Sequence, residues 1–137
     1  MQKTYLIGGL SLIVAAIAAA TAYAGNSAKA PEKSHGLSPV VAHQNALEAQ
    51  IPAMKGYDFR SRKITLMPGG ATAEHSHAER PGIVYVMKGT VVEYRNGVKR
   101  TFKSGDTWIE KADTVHWVKN PTNKPAVIFM VDLPKQN

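Results

Sequence analysis

From Phe59 onward the chain alternates side-chain character in short runs between turn signals, the pattern of strands with one buried face. Residues Phe59 to Leu66 alternate and then turn at Pro68-Gly69-Gly70. "GIVYVMKG" is an apolar strand bounded by Gly82 and Gly89, and "TVVEYRNGVKRTFKSGD" is a hairpin. Its Asn96-Gly97 suits a two-residue turn with positive φ at both positions. "DTWIEKADTVHWVKNP" predicts two more short strands. "PAVIFMVDLP" predicts the last, with Val127, Phe129 and Val131 on one face and Ile128 and Met130 on the other. No internal repeat is present. Upstream, "GNSAKAPEKSHGLSP" is rich in small residues and proline and reads as a linker. A short helix is predicted around Val41 to Gln50, closed by Pro52. The organisation is therefore a linker over 25–55 and one all-β domain over 56–137.

The first 24 residues change that picture. Lys3, an uncharged apolar stretch from Leu6 to Ala20, and Ala22-Tyr23-Ala24 have the layout of a cleaved signal peptide. A retained anchor is the competing reading, since no charge appears from Thr4 to Ala28. The alanine-rich run and its small-residue site favour cleavage, leaving no stable membrane anchor and a periplasmic or secreted protein. No arginine pair precedes the run, so export unfolded is expected, with metal acquired outside the cytoplasm. The chain of 137 residues has no cysteine. An exported domain without disulfides relies on packing, a metal or oligomerisation. The formal charge is +7, but its bases are dispersed and no basic-aromatic interleaving occurs. This describes a solvated basic surface and argues against nucleic-acid binding.

The candidate chemistry lies in "AEHSHAERPGIVYVMKG". Residues two apart on a strand point the same way, so His75 and His77 form a two-point grip. His116 stands on a separate strand, with Val118 and Asn120 on its face. If the strands oppose each other, three imidazoles converge, a donor set for zinc, copper, iron or nickel, and a poor one for calcium or magnesium. Glu79 is the nearest acid or base, unless it is a solvated loop residue. Arg80 is a candidate for a substrate carboxylate or phosphate, unless it too is an exposed loop side chain. Trp108 and Trp117 read as packing, Tyr85 as outward-facing, and His35 and His43 as surface residues. Asn120 reads as fixing a turn.

These positions carry a resemblance. Gly69, His75-Ser76-His77 and Gly89, followed by Gly105, His116 and Asn120, stand at the spacings of the two motifs of the cupin family. The resemblance covers roughly Phe59 to Leu133. It implies a small single-domain jelly-roll β-barrel, one divalent transition metal (iron, zinc, copper, nickel or manganese) at His75, His77 and His116, and a homodimer. Two departures stand out. Lys111 and Asp113 replace the second motif's proline and glycine, which alters a turn. The first motif's glutamate falls on Gly82, which alters the site. Three accounts of the missing acid are open: a three-histidine centre with free positions, Glu79 swinging in, or an empty site. The first is favoured because all three histidines keep their register, and because a glycine facing inward opens space beside an ion. The function implied is Lewis-acid or oxygenase-type chemistry on a small organic substrate. The alternative is a non-catalytic module that binds or senses a small ligand or metal, since one fold hosts many functions.

Overall fold

The computed structural model describes residues 28–136; the expected export segment, residues 1–24, lies outside them. Nine strands form a nearly closed barrel: β1 (His35–Ala46), β2 (Asp58–Ala71), β3 (His75–Ser76), β4 (Gly82–Lys88), β5 (Thr90–Arg95), β6 (Val98–Lys103), β7 (Thr107–Glu110), β8 (Val115–Lys119) and β9 (Ala126–Asp132). Along the sheet the order is β6-β5-β8-β2-β9-β4-β7, with β1 on β2 and β3 on β8. The all-β jelly-roll barrel expected from sequence is the fold that forms.

Alternation builds the interior. On β9, Ala126, Ile128, Met130 and Asp132 are buried between half-exposed neighbours. On β4, Val84 and Val86 are buried while Ile83 and Tyr85 face out. Burying each such aliphatic side chain contributes about 1.5–3 kcal/mol. Trp108 packs inward against Phe102, their ring centroids 4.6 Å apart. Trp117 points out but is covered by Tyr94, stacked on it at 4.0 Å. The β5–β6 hairpin turns at Asn96 and Gly97, whose φ values are 52° and 73°. Asn120 fixes the β8–β9 turn: its side-chain amide donates to the carbonyls of Leu66 and Lys124, and its Oδ1 accepts from Thr122.

One expected element is corrected. Residues 41–50 form no helix; His35–Ala46 is a strand paired antiparallel to β2 from His35↔Ala71 to Ala46↔Asp58. The helix formers around Leu47 survive only as a 3-10 turn, Leu47–Ala49, followed by a second, Pro52–Met54. The whole edge of β2 offers backbone partners, and that ladder outweighs local propensity. Pro39 is tolerated because β1 is an edge strand. This segment, read as part of a linker, reaches the barrel mouth and contributes Leu37 and Pro39 to the wall of its cavity.

Candidate metal centre

Strands β3 and β8 are neighbours, not opposite walls, and His75 pairs directly with His116 in their ladder. The pairing continues past β3, where the His77 amide donates to the Thr114 carbonyl at 2.9 Å. Thr72 holds the near end, donating its amide to Val118 and accepting the Val118 amide on its hydroxyl. The turn at 111–114 is closed by Thr114, whose amide donates to the Lys111 carbonyl while its hydroxyl accepts the Lys111 amide. The turn therefore forms without the motif's proline and glycine.

The three imidazoles converge. Each offers one nitrogen, and these lie within 4.8 Å of one another. The outer nitrogens are committed elsewhere. His75 Nδ1 donates to the Ala73 carbonyl at 2.9 Å, His77 Nδ1 to the Arg80 carbonyl at 3.1 Å, and His116 Nδ1 to Glu93 Oε1 at 2.6 Å. Those partners only accept, so each Nδ1 carries a proton and each Nε2 is turned to the middle of the cluster. His77 Nε2 and His116 Nε2 then face each other at 3.1 Å inside the protein. Two nitrogens at that separation need a proton or a metal ion between them. Two ligands about 2.1 Å from one ion and 90–110° apart are themselves about 3.0–3.4 Å apart, so the spacing fits a shared metal.

Burial tunes the same groups. It pushes His77 down to about 4 and lowers His75 as well, keeping both rings neutral and ready to coordinate. Burial also pushes Glu93 upward, but its hydrogen bonds from His116 and Arg95 outweigh that and hold it below the usual range. Glu110 is raised, chiefly by burial. The His77 shift has a consequence for stability. Between pH 6.5 and about 4 the unfolded chain protonates this residue and the native protein does not. The contribution is thus fully present above pH 6.5 and declines as pH falls towards 4. Urea midpoints of metal-stripped protein are expected to fall across that window, and by less in His77→Gln. Identical slopes for the two proteins would contradict the assignment.

The other expected site residues divide. Arg80 lines the cavity beside the histidines. Glu79 does not join them: it is on an exposed loop, its carboxylate accepting from Lys135 at 3.1 Å. Gly82 opens no space beside an ion. A Cβ there would lie 2.6 Å from the Val131 carbonyl oxygen and 2.9 Å from Asp132 Cβ, because β9 passes too close. Two carboxylates were missed. Glu93 alternates with Val91 on the inward face of β5, and Glu110 with Trp108 on that of β7. Both are buried polar residues at positions where strand alternation calls for apolar ones, a signal present in the sequence but eclipsed by the histidine motif.

The histidines open onto a cavity of about 280 Å³ at the barrel mouth. Its lining combines His75, His116, Arg62, Arg80 and Glu110 with apolar residues, Leu66, Val84, Val118 and Ile128 among them. A mostly apolar lining with a few charged and imidazole groups is the usual make-up of a small-molecule site.

A model of the cupin domain matches residues 62–132. Among curated proteins, the auxin-binding protein ABP19b of Prunus persica is 26% identical over 89 residues, 61% of this chain and 43% of that protein. The chain thus spans less than half the length of the curated relatives it matches. Solved structures with this fold include KdgF from Halomonas sp., 17% identical at a TM-score of 0.60, covering 74% of this chain and 82% of that one. Another is a predicted oxalate decarboxylase from Thermotoga maritima, 24% identical at a TM-score of 0.56, covering 72% and 84%. At these identities the structural likenesses establish the fold alone.

Proposed function

The chain belongs to the cupin family, and on that premise we propose that it holds one divalent transition metal at His75, His77 and His116 and acts there on a small oxygen-bearing organic molecule. The observation that carries this reading is the set of three imidazoles, each anchored through Nδ1, whose ligand nitrogens lie within 4.8 Å of one another, with His75 and His116 lining the cavity. When bound, such an ion supplies Lewis-acid polarisation of a ligand oxygen and, if it is iron, oxygenase-type chemistry.

The protein's own groups do the rest. Arg62 and Arg80 border the cavity and attract an anionic end, such as a carboxylate, while Ile128 and Val84 take an apolar body and exclude water. The leader-like start of the sequence supports export to the periplasm or beyond. The outer edge of β1, where Val40 and Val41 are exposed, supports pairing of two copies. The curated relatives favour a second reading, a ligand-binding module without turnover, since they are described as auxin-binding proteins.

Elemental analysis of the untagged protein, purified from its native compartment, tests the metal. About one transition-metal ion per chain is expected. A protein that stays metal-free after exposure to iron, zinc, copper, nickel and manganese in turn would overturn the reading. Incubating the loaded protein with small carboxylic acids then separates turnover from binding.

A further inference from the structure

We infer that Glu110 is the carboxylate of this metal centre, supplied from strand β7 across the ladder from the glycine that stands in the motif's acidic position. The inference rests on the metal reading above and extends it to a residue outside both sequence motifs.

Register is the first argument. Gly82 on β4 pairs directly with Glu110 on β7. Directly paired residues share a face, with Cβ atoms about 4.5–5.5 Å apart, so a carboxylate lost from one can be delivered from the other. Space is the second. The collision of a Cβ at Gly82 with the Val131 carbonyl oxygen bars any side chain from that position. The backbone approach that removes the motif acid leaves the paired position to supply it.

Contacts are the third argument. Glu110 is buried, and its carboxylate lies against two of the histidines, Oε2 at 3.2 Å from His77 Nδ1 and Oε1 near His116. Its Oε1 lies 3.4 Å from His116 Nε2, the nitrogen free to coordinate. That separation falls within the roughly 3.0–3.4 Å expected between adjacent ligands of one ion. Among the described residues, the group whose ligand atoms all lie within 4.8 Å of one another is the three histidines alone, so Glu110 joins it by turning its carboxylate towards the ion. The same oxygen accepts from Trp108 Nε1 at 3.2 Å, which aims the carboxylate. Its Oε2 accepts no hydrogen bond although it is buried. The proton on His77 Nδ1 goes to the Arg80 carbonyl, so this oxygen keeps its capacity to bind an ion. Charge points the same way. Three neutral imidazoles leave a divalent ion uncompensated, and the other nearby carboxylate, Glu93, is already engaged by Arg95 at 2.8 Å. Glu110 is therefore the buried carboxylate available to the ion.

Cobalt(II) titration of metal-stripped wild type, Glu110→Gln and Glu110→Asp tests this, read by visible absorption and by chelator competition. Gln keeps the size and a hydrogen-bond acceptor for Trp108 but not the charge. Glu110→Gln is expected to retain the fold by circular dichroism, to bind cobalt more weakly by on the order of 100-fold or more, beyond the loss of an outer partner, and to shift its ligand-field bands. Glu110→Asp is expected to recover part of the affinity. If Glu110→Gln matches wild type in both affinity and band positions, Glu110 is no part of the centre and the inference fails while the three-histidine site stands. If wild type itself takes up no cobalt, the metal reading fails and this one with it.

Discussion

His116→Ala is expected to abolish stoichiometric metal binding, with an affinity loss of about a hundred-fold or more. Removing a mere outer partner of a coordinating histidine costs on the order of 10- to 100-fold, so losing the coordinating ring must cost more. His116 is also the hinge of the cluster. It pairs with His75 across the ladder, its Nε2 faces that of His77 at 3.1 Å, and its Nδ1 donates to Glu93 at 2.6 Å. No other described histidine can take its place, because His35 and His43 stand exposed on β1. His43→Ala is the matched control and leaves metal content unchanged. Both proteins are compared by elemental analysis after loading and gel filtration. Wild-type metal content in His116→Ala would place the ion elsewhere.

The residues that made this site legible are those whose information is local. His75 and His77 share a face by the two-residue period of a strand, Asn96-Gly97 specifies its own turn, and the alternation of "AVIFMVD" emerges intact as β9. The spacing of two motifs then brought in His116. What stayed hidden depends on which strands become neighbours. Glu110 matters because β7 pairs with β4 in a register that sets it beside Gly82. Glu93 matters because β5 lies next to β8, placing its carboxylate on the ring of His116. A glycine read as open space proved to mark a place where two backbones nearly touch. Residues 41–46 misled for a related reason. Their neighbours Leu47 to Gln50 are good helix formers, yet β2 offered residues 41–46 themselves an unpaired edge.

Asp132→Ala is expected to have the largest effect on folding. The residue is fully buried at the end of β9, between β2 and β4, paired in register with both Arg60 and Gly82. Its two oxygens accept from Arg60 Nε at 3.0 Å, from an Arg60 terminal nitrogen at 2.8 Å and from Arg62 at 2.8 Å. Replacing the whole group by apolar residues could be nearly neutral, but removing the single acid leaves two largely buried guanidinium groups facing each other without a counter-ion. Breaking a buried pair in this way costs about 3–5 kcal/mol. For a domain of this size that lowers the melting temperature by roughly 10–30 °C. Asp132→Asn keeps the shape and part of the hydrogen bonding, so it should fall between wild type and Asp132→Ala. The damage also reaches the cavity, because Arg62 lines it and is held there by Asp132 and by a contact with Met130 Sδ. In thermal unfolding followed by circular dichroism, a loss under about 1 kcal/mol in Asp132→Ala would mean the arginines find water instead. The ion pair would then be a surface feature, and the cavity's cationic wall would owe nothing to Asp132.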